Sequence, residues 1–304
     1  MARVHIGSRA RAVYRSILFA LTLAAVTWFA VRNWREMSLH TMELHGSLVA
    51  FSFCAVLLGY LARFAVWIRL SSVMDLRAPM VNAGRAYFLS NLGRYVPGKL
   101  GLALIRVEAY GGYPADRVVM ATGLETIAAL AAALLLAVIG LAFSPVHLPP
   151  YLRWVSLVAL ALLLVVLSPR LLQRTADAIL RLLKRRYLDR LPSYSTNIAF
   201  VVLLTIPGFL HGLGLFLLLN AFSHVPGSHY LAVTGAYYAA NMIGLIAVFA
   251  PGGLGVREAI LFLVLPSLVG KEVAIIAAVL IRLITMAAEV VLAAGFSAAA
   301  ARRR

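Results

Sequence analysis

Tyr95-Val96-Pro97-Gly98-Lys99-Leu100-Gly101 decides how this chain is read, because it returns later as Phe249-Ala250-Pro251-Gly252-Gly253-Leu254-Gly255. Both copies run aromatic, apolar, Pro, Gly, any residue, Leu, Gly, and both lie at the edge of long apolar sequence. Proline removes an amide donor, and glycine tolerates backbone shapes that other residues avoid. A break of this kind beside a membrane helix frees backbone polar groups, which survive at that depth only if buried in protein or lining a wet cavity. Two such breaks in corresponding positions of two halves point to the binding site of a transporter. Pro97, Gly98, Pro251, Gly252 and Gly253 are therefore the expected helix breaks.

Composition sets the surroundings of these breaks. The chain has 304 residues, of which 62% are hydrophobic and 13% charged, and its mean hydropathy is +0.92. Soluble domains carry about 25% charged residues. The expected fold is all-α: a polytopic integral membrane helical bundle of 7–8 spans, with re-entrant or broken helices and an internal repeat. The net charge of +17 comes from 28 Lys and Arg against 11 Asp and Glu. In a soluble protein that excess would suggest nucleic acid; here it reads as basic cytoplasmic loops facing anionic lipid, with no nucleic-acid partner. Cys54 is the single cysteine and lies in an apolar run. It allows no intrachain disulfide or metal-ligand spacing, and is expected to be a small buried hydrophobe.

Working outward from the breaks, one transmembrane domain covers 1–304. The first half takes about 1–168 with its break at 95–101, and the second about 193–304 with its break at 249–255. Arg3, Arg9, Arg11 and Arg15 precede the apolar run Ser16–Val31. That run is long for a signal-peptide core and lacks a small-residue cleavage site, so it is expected to be a retained first span. Further spans are expected at Gly46–Leu70, Val118–Phe143, Leu152–Leu167, Ile198–Phe222, Tyr230–Ala250 and Val273–Ala300. Leu76–Gly112, interrupted by Pro79 and Pro97, reads as a re-entrant or interfacial hairpin. In 169–192, Arg170, Arg174, Arg181 and Lys184 recur at helical spacing opposite Leu172, Ala176, Ile179 and Leu183, the pattern of an amphipathic connector on anionic lipid. Lys and Arg concentrate in the N-terminus, 63–117, 169–192 and the C-terminus, which predicts a multi-pass protein of the cytoplasmic (inner) membrane with its N-terminus inside. Eight spans result if Val256–Val269 crosses, seven if it is re-entrant.

A charge inside a span costs at least ~2.5 kcal/mol, so each one needs a reason. Arg282 is the deepest, with Glu289 about 10 Å further along the same helix. Glu125 on another span is the nearer partner expected for Arg282. Arg282 is then either half of a buried ion pair or a ligand for a phosphate, tuned by Glu289 or Glu125. Arg94 and Lys99 flank the first break, and Arg257 and Glu258 follow the second. If the breaks meet, Arg94, Lys99, Arg257 and Arg282 surround one headgroup site. Glu125, Glu258, Glu289 and His211 are the candidate charge partners or proton carriers, although a single buried His211 also suits a hydrogen-bonded core position. Walker loops, His-x-x-x-His pairs and G-x-S-x-G elbows are absent from the sequence, so no cofactor, metal or catalytic residue is expected.

At Gly93-Arg94-Tyr95-Val96-Pro97-Gly98-Lys99-Leu100-Gly101 and Pro251-Gly252-Gly253-Leu254-Gly255-Val256-Arg257-Glu258 the chain resembles the flippase-like transmembrane family named after the lysylphosphatidylglycerol synthase membrane region. The two motifs, in this order and with this span pattern, cover nearly the whole chain. The resemblance implies a polytopic protein that moves lipids or lipid-linked headgroups between leaflets. The aminoacyl-transfer domain of the lysylphosphatidylglycerol synthases is not expected in this chain. The expected activity is therefore lipid transport, flippase- or scramblase-like, of a phospholipid or lipid-linked glycan headgroup through a basic groove. The alternatives are a membrane-embedded lipid-modifying enzyme and a scaffold subunit for a partner enzyme.

Overall fold

The computed structural model of the protein describes residues 44–93, 101–143, 150–171, 174, 192–246 and 255–302. Every regular element among them is helical: α1 (Gly46–Val73), α2 (Met80–Leu92), α3 (Gly101–Ala109), α4 (Ala115–Ala142), α5 (Pro150–Val166), α6 (Tyr194–Asn220), a 3-10 turn (Gly227–His229), α7 (Tyr230–Ile246), α8 (Val256–Val264), α9 (Pro266–Val269) and α10 (Lys271–Ala301). Four of these, α1, α4, α6 and α10, are long and apolar enough to cross a membrane. The expected first span Ser16–Val31, most of the 169–192 connector, and the break residues Pro97, Gly98, Pro251, Gly252 and Gly253 lie outside the described residues.

The helices on either side of each break are short and packed together, α2 on α3 and α7 on α8. At a rise of about 1.5 Å per residue, the 13 residues of α2 reach ~20 Å and the 9 of α3 ~14 Å. Neither matches the ~30 Å hydrocarbon core of a bilayer. Local sequence sets the other ends: Ser193 caps α6 by accepting from the Thr196 amide at 3.2 Å, and Pro266 ends α8 while opening α9.

The most extensive helix–helix interface is α1 against α6. His45 N donates to Ala221 O at 3.0 Å and Ser52 Oγ to Gly214 O at 2.7 Å, so the two helices run antiparallel. Next comes α4 against α7, where Gly140 and Gly235 bring the backbones together. A Cβ on Gly140 would collide with Gly235 Cα and lie 2.9 Å from Gly235 N, which is why neither position carries a side chain. α2 leans on α10, with Phe88 stacked on Phe296 at 5.2 Å between ring centroids. α2 thus rests on the long helix that follows the second break, α10, and α7 on the long helix that follows the first, α4.

Outward-facing positions are apolar as well: Phe51, Leu58, Val202, Ile206 and Val291 are exposed, as suits a surface solvated by acyl chains. Cys54 shares that stripe of α1 with Phe51 and Leu58 and is itself exposed, against the expectation of a buried position. An apolar run alone does not reveal which face of a membrane helix meets lipid, because both faces are apolar.

A candidate lipid-headgroup site

Helical spacing places two acid–base clusters in the core. On α2, Tyr87, Ser90 and Asn91 are buried on one face. On α3, Arg106 is wholly buried, and Glu125 of α4 is 3% exposed. The result is a dense cage. Arg106 Nη1 donates to Glu125 Oε2 at 2.7 Å, Nε to Ser90 Oγ at 2.9 Å and Nη2 to Asn91 Oδ1 at 3.2 Å. The Tyr87 hydroxyl donates to Glu125 Oε1 at 2.8 Å, and Arg63 Nε reaches the same oxygen at 3.2 Å. The Arg106 guanidinium also lies over Trp67, 4.2 Å from the ring centroid, and over Tyr87 at 4.7 Å. Charge, hydrogen bonds and cation–π contacts together offset the cost of burying this arginine.

The second cluster is looser. Glu258 starts a buried stripe of α8 that continues with Leu261 and Leu265. Arg282, Thr285 and Glu289 share a buried face of α10. Arg282 Nε lies 3.8 Å from Glu258 Oε1, an ion-pair separation beyond hydrogen-bond reach. Neither carboxylate oxygen of Glu258, a residue only 7% exposed, accepts a hydrogen bond among the described residues. Beside the pair is a cavity of about 20 Å³, lined by Tyr237, Asn241, Arg257, Glu258, Arg282 and Thr285 among others, with room for about one water. Arg257 reaches it by crossing α7 at Gly244, where a Cβ would collide with the Arg257 side chain.

Glu289 and His211 lie deeper. The Tyr60 hydroxyl donates to Glu289, and Tyr60 meets His211 edge-on at 4.8 Å between centroids. His211 Nδ1 is 2.6 Å from Pro207 O, and its ring is stacked 6.2 Å from that of Tyr237, which also lines the cavity. A line of polar side chains therefore runs from the cavity through Tyr237, His211 and Tyr60 to Glu289. His211 is a hydrogen-bonded core histidine on that line.

Of the expected headgroup residues, Arg257 and Arg282 come together, while Arg94 and Lys99 lie outside the described residues. The partner of Arg282 differs from expectation. Glu125 is engaged by Arg106 and Arg63, and the carboxylate beside Arg282 is Glu258. The reason is that α3 folds back between α2 and α4 and carries its own arginine to Glu125. Arg106 falls in the expected Leu76–Gly112 hairpin and counts there only toward the Lys and Arg of 63–117. The available signal was its position inside the apolar stretch Leu102-Ala103-Leu104-Ile105-Arg106-Val107.

A family model described as "Lysylphosphatidylglycerol synthase TM region" matches residues 13–293, spanning both breaks and both clusters. The chain belongs to this family. As a member of the lysylphosphatidylglycerol synthase TM-region family it is a multi-pass membrane protein related to lipid handling. A comparison with curated proteins finds no match. Within this TM-region architecture, the cavity lies between α7, which precedes the second break, and α8 and α10, which follow it.

Proposed function

We propose that the protein moves the headgroup of a phospholipid or lipid-linked glycan across the cytoplasmic (inner) membrane, as a flippase or scramblase without covalent chemistry of its own. The observation that carries this reading is the cavity at which Arg257 and Arg282 converge, with Arg282 held at 3.8 Å from its carboxylate rather than locked to it. A guanidinium that lines such a cavity can present its planar fork to a phosphate. From the sequence alone, Arg94 and Lys99 of the first break are further proposed headgroup contacts, and the acyl chains remain in lipid. The chain crosses the bilayer seven or eight times with its N-terminus in the cytoplasm, following the distribution of Lys and Arg.

An internal repeat of inverted orientation is part of this proposal. Antiparallel α1 and α6, the two broken pairs, and the exchange by which α2 rests on α10 while α7 rests on α4 are what two halves related by a twofold axis produce. Movement is downhill or ion-coupled, with Glu289 and His211, deeper than the cavity, as proton carriers. The test is headgroup movement in liposomes containing only the purified protein. A phospholipid labelled on its headgroup should become accessible to a membrane-impermeant quencher beyond the level in protein-free liposomes. Accessibility equal to that of protein-free liposomes overturns transport, and recovery of lipid with an altered headgroup mass indicates a lipid-modifying enzyme instead.

A further inference from the structure

Glu125 and Glu258 both stand beside arginines in the core, but they are solvated very differently. Glu125 accepts from Arg106, Arg63 and Tyr87. Glu258 is equally hidden from solvent, yet neither of its oxygens accepts a hydrogen bond among the described residues, and its nearest cationic nitrogen is 3.8 Å away. A buried charge without hydrogen bonds is the costly case, retained where the strain has a use. The cavity supplies one. It opens beside the carboxylate, and Arg257 and Arg282 both line it.

We propose that Glu258 is a displaceable internal counterion, standing beside Arg282 in the place that a phosphate ester takes when substrate loads. The inference rests on the headgroup reading above and adds a control to it. A phosphate can make two-point hydrogen bonds to a guanidinium, whereas Glu258 makes none to Arg282. Exchange therefore trades a poor contact for a good one. Arg257 lines the same cavity, so the carboxylate that leaves Arg282 retains a cation nearby. The cavity, at about 20 Å³, has room for about one water. Glu258 stands on the side of Arg282 that a phosphate would take, so loading displaces the carboxylate. Glu125, fixed by several donors, has no comparable freedom.

The experiment measures binding to the purified full chain in detergent, using dihexanoyl phosphatidylglycerol and, separately, inorganic phosphate. Glu258→Gln removes the competing charge and should tighten binding of the lipid about tenfold, the effect of removing one like charge from an anion site. Glu258→Asp withdraws the carboxylate by one methylene and should give a smaller tightening in the same direction. It decides the matter if the Gln variant does not fold. Wild-type binding of lipid with no tightening in either variant, or with weakening, overturns the counterion and leaves the headgroup reading standing. Failure of the wild type to bind either probe overturns both. Tightening for inorganic phosphate alone assigns the site to free phosphate and overturns the lipid as its occupant.

Discussion

Arg106–Glu125 and Arg282–Glu258 use the same two functional groups in opposite order. In the first half the arginine is on the short helix after the break and the carboxylate on the long helix. In the second half the order is reversed. The first pair closes to 2.7 Å inside a shell of Ser90, Asn91, Tyr87 and Trp67. The second stands at 3.8 Å beside a cavity. Residue type does not separate them, since both pairs are buried. The neighbours do: α2 presents a row of polar and aromatic side chains to Arg106, whereas α7 presents Tyr237, Asn241 and the bare backbone of Gly244. A buried ion pair held on both sides by hydrogen bonds acts as a clamp, whereas the Glu258 carboxylate accepts none among the described residues and is the freer to exchange.

The comparison breaks most directly at Arg106. Arg106→Ala leaves Glu125 short of its closest cation and should cost about 3–5 kcal/mol, the usual result of removing half of a buried pair. Little folded protein should survive a thermal step in detergent, as followed by size-exclusion chromatography. Replacing Glu125 with Gln in the same chain should recover part of the loss. A stable Arg106→Ala protein would mean that the first pair is no clamp.

Arg282→Ala should be milder for folding and harsher for function. Glu258 keeps Arg257 nearby at the cavity when Arg282 is removed, so a cost of about 2–3 kcal/mol, below that of Arg106→Ala, is expected. Headgroup movement in liposomes should fall by about tenfold or more, on the scale of one lost charge-assisted contact. Arg282→Lys keeps the charge without the planar fork and should be partly active. Wild-type transport by Arg282→Ala would remove this residue from the mechanism, and early melting equal to that of Arg106→Ala would erase the contrast between the two pairs.

How far the sequence revealed this contrast can be judged residue by residue. The helices were readable because apolar runs and Pro-Gly punctuation are local properties, and α1, α4, α6 and α10 fall where hydropathy put them. Arg257 and Arg282 were readable as a pair because intramembrane charge is rare and expensive. The partnership of Glu125 was not readable. It depends on α3 folding back onto α4, a tertiary event that no spacing within either helix records. Tyr60, Tyr87 and Tyr237 were overlooked for a related reason: a tyrosine in an apolar run looks like packing until its hydroxyl has a partner.

Two smaller effects sharpen the comparison. Tyr87→Phe removes one donor from Glu125 while keeping the ring over Arg106, and should lower stability by about 1 kcal/mol in thermal unfolding. A loss as large as that of Arg106→Ala would move the clamp from the arginine to the tyrosine. Arg63 is a third exposed at its side chain, so Arg63→Gln should cost less than about 1 kcal/mol. A larger loss would make Glu125 the centre of two pairs of equal weight.

The crossing of α4 and α7 at Gly140 and Gly235 has a genetic consequence. In most packed interfaces an enlarged residue can be accommodated by a second change that shrinks its neighbour. Here the neighbour already has no side chain to give up, and a Cβ at either position meets the backbone of the other. A defect caused by Gly140→Ala therefore has no intragenic suppressor at 235, nor one caused by Gly235→Ala at 140. Revertants must restore the glycine, or arise at sites that let the two helices separate along their whole length.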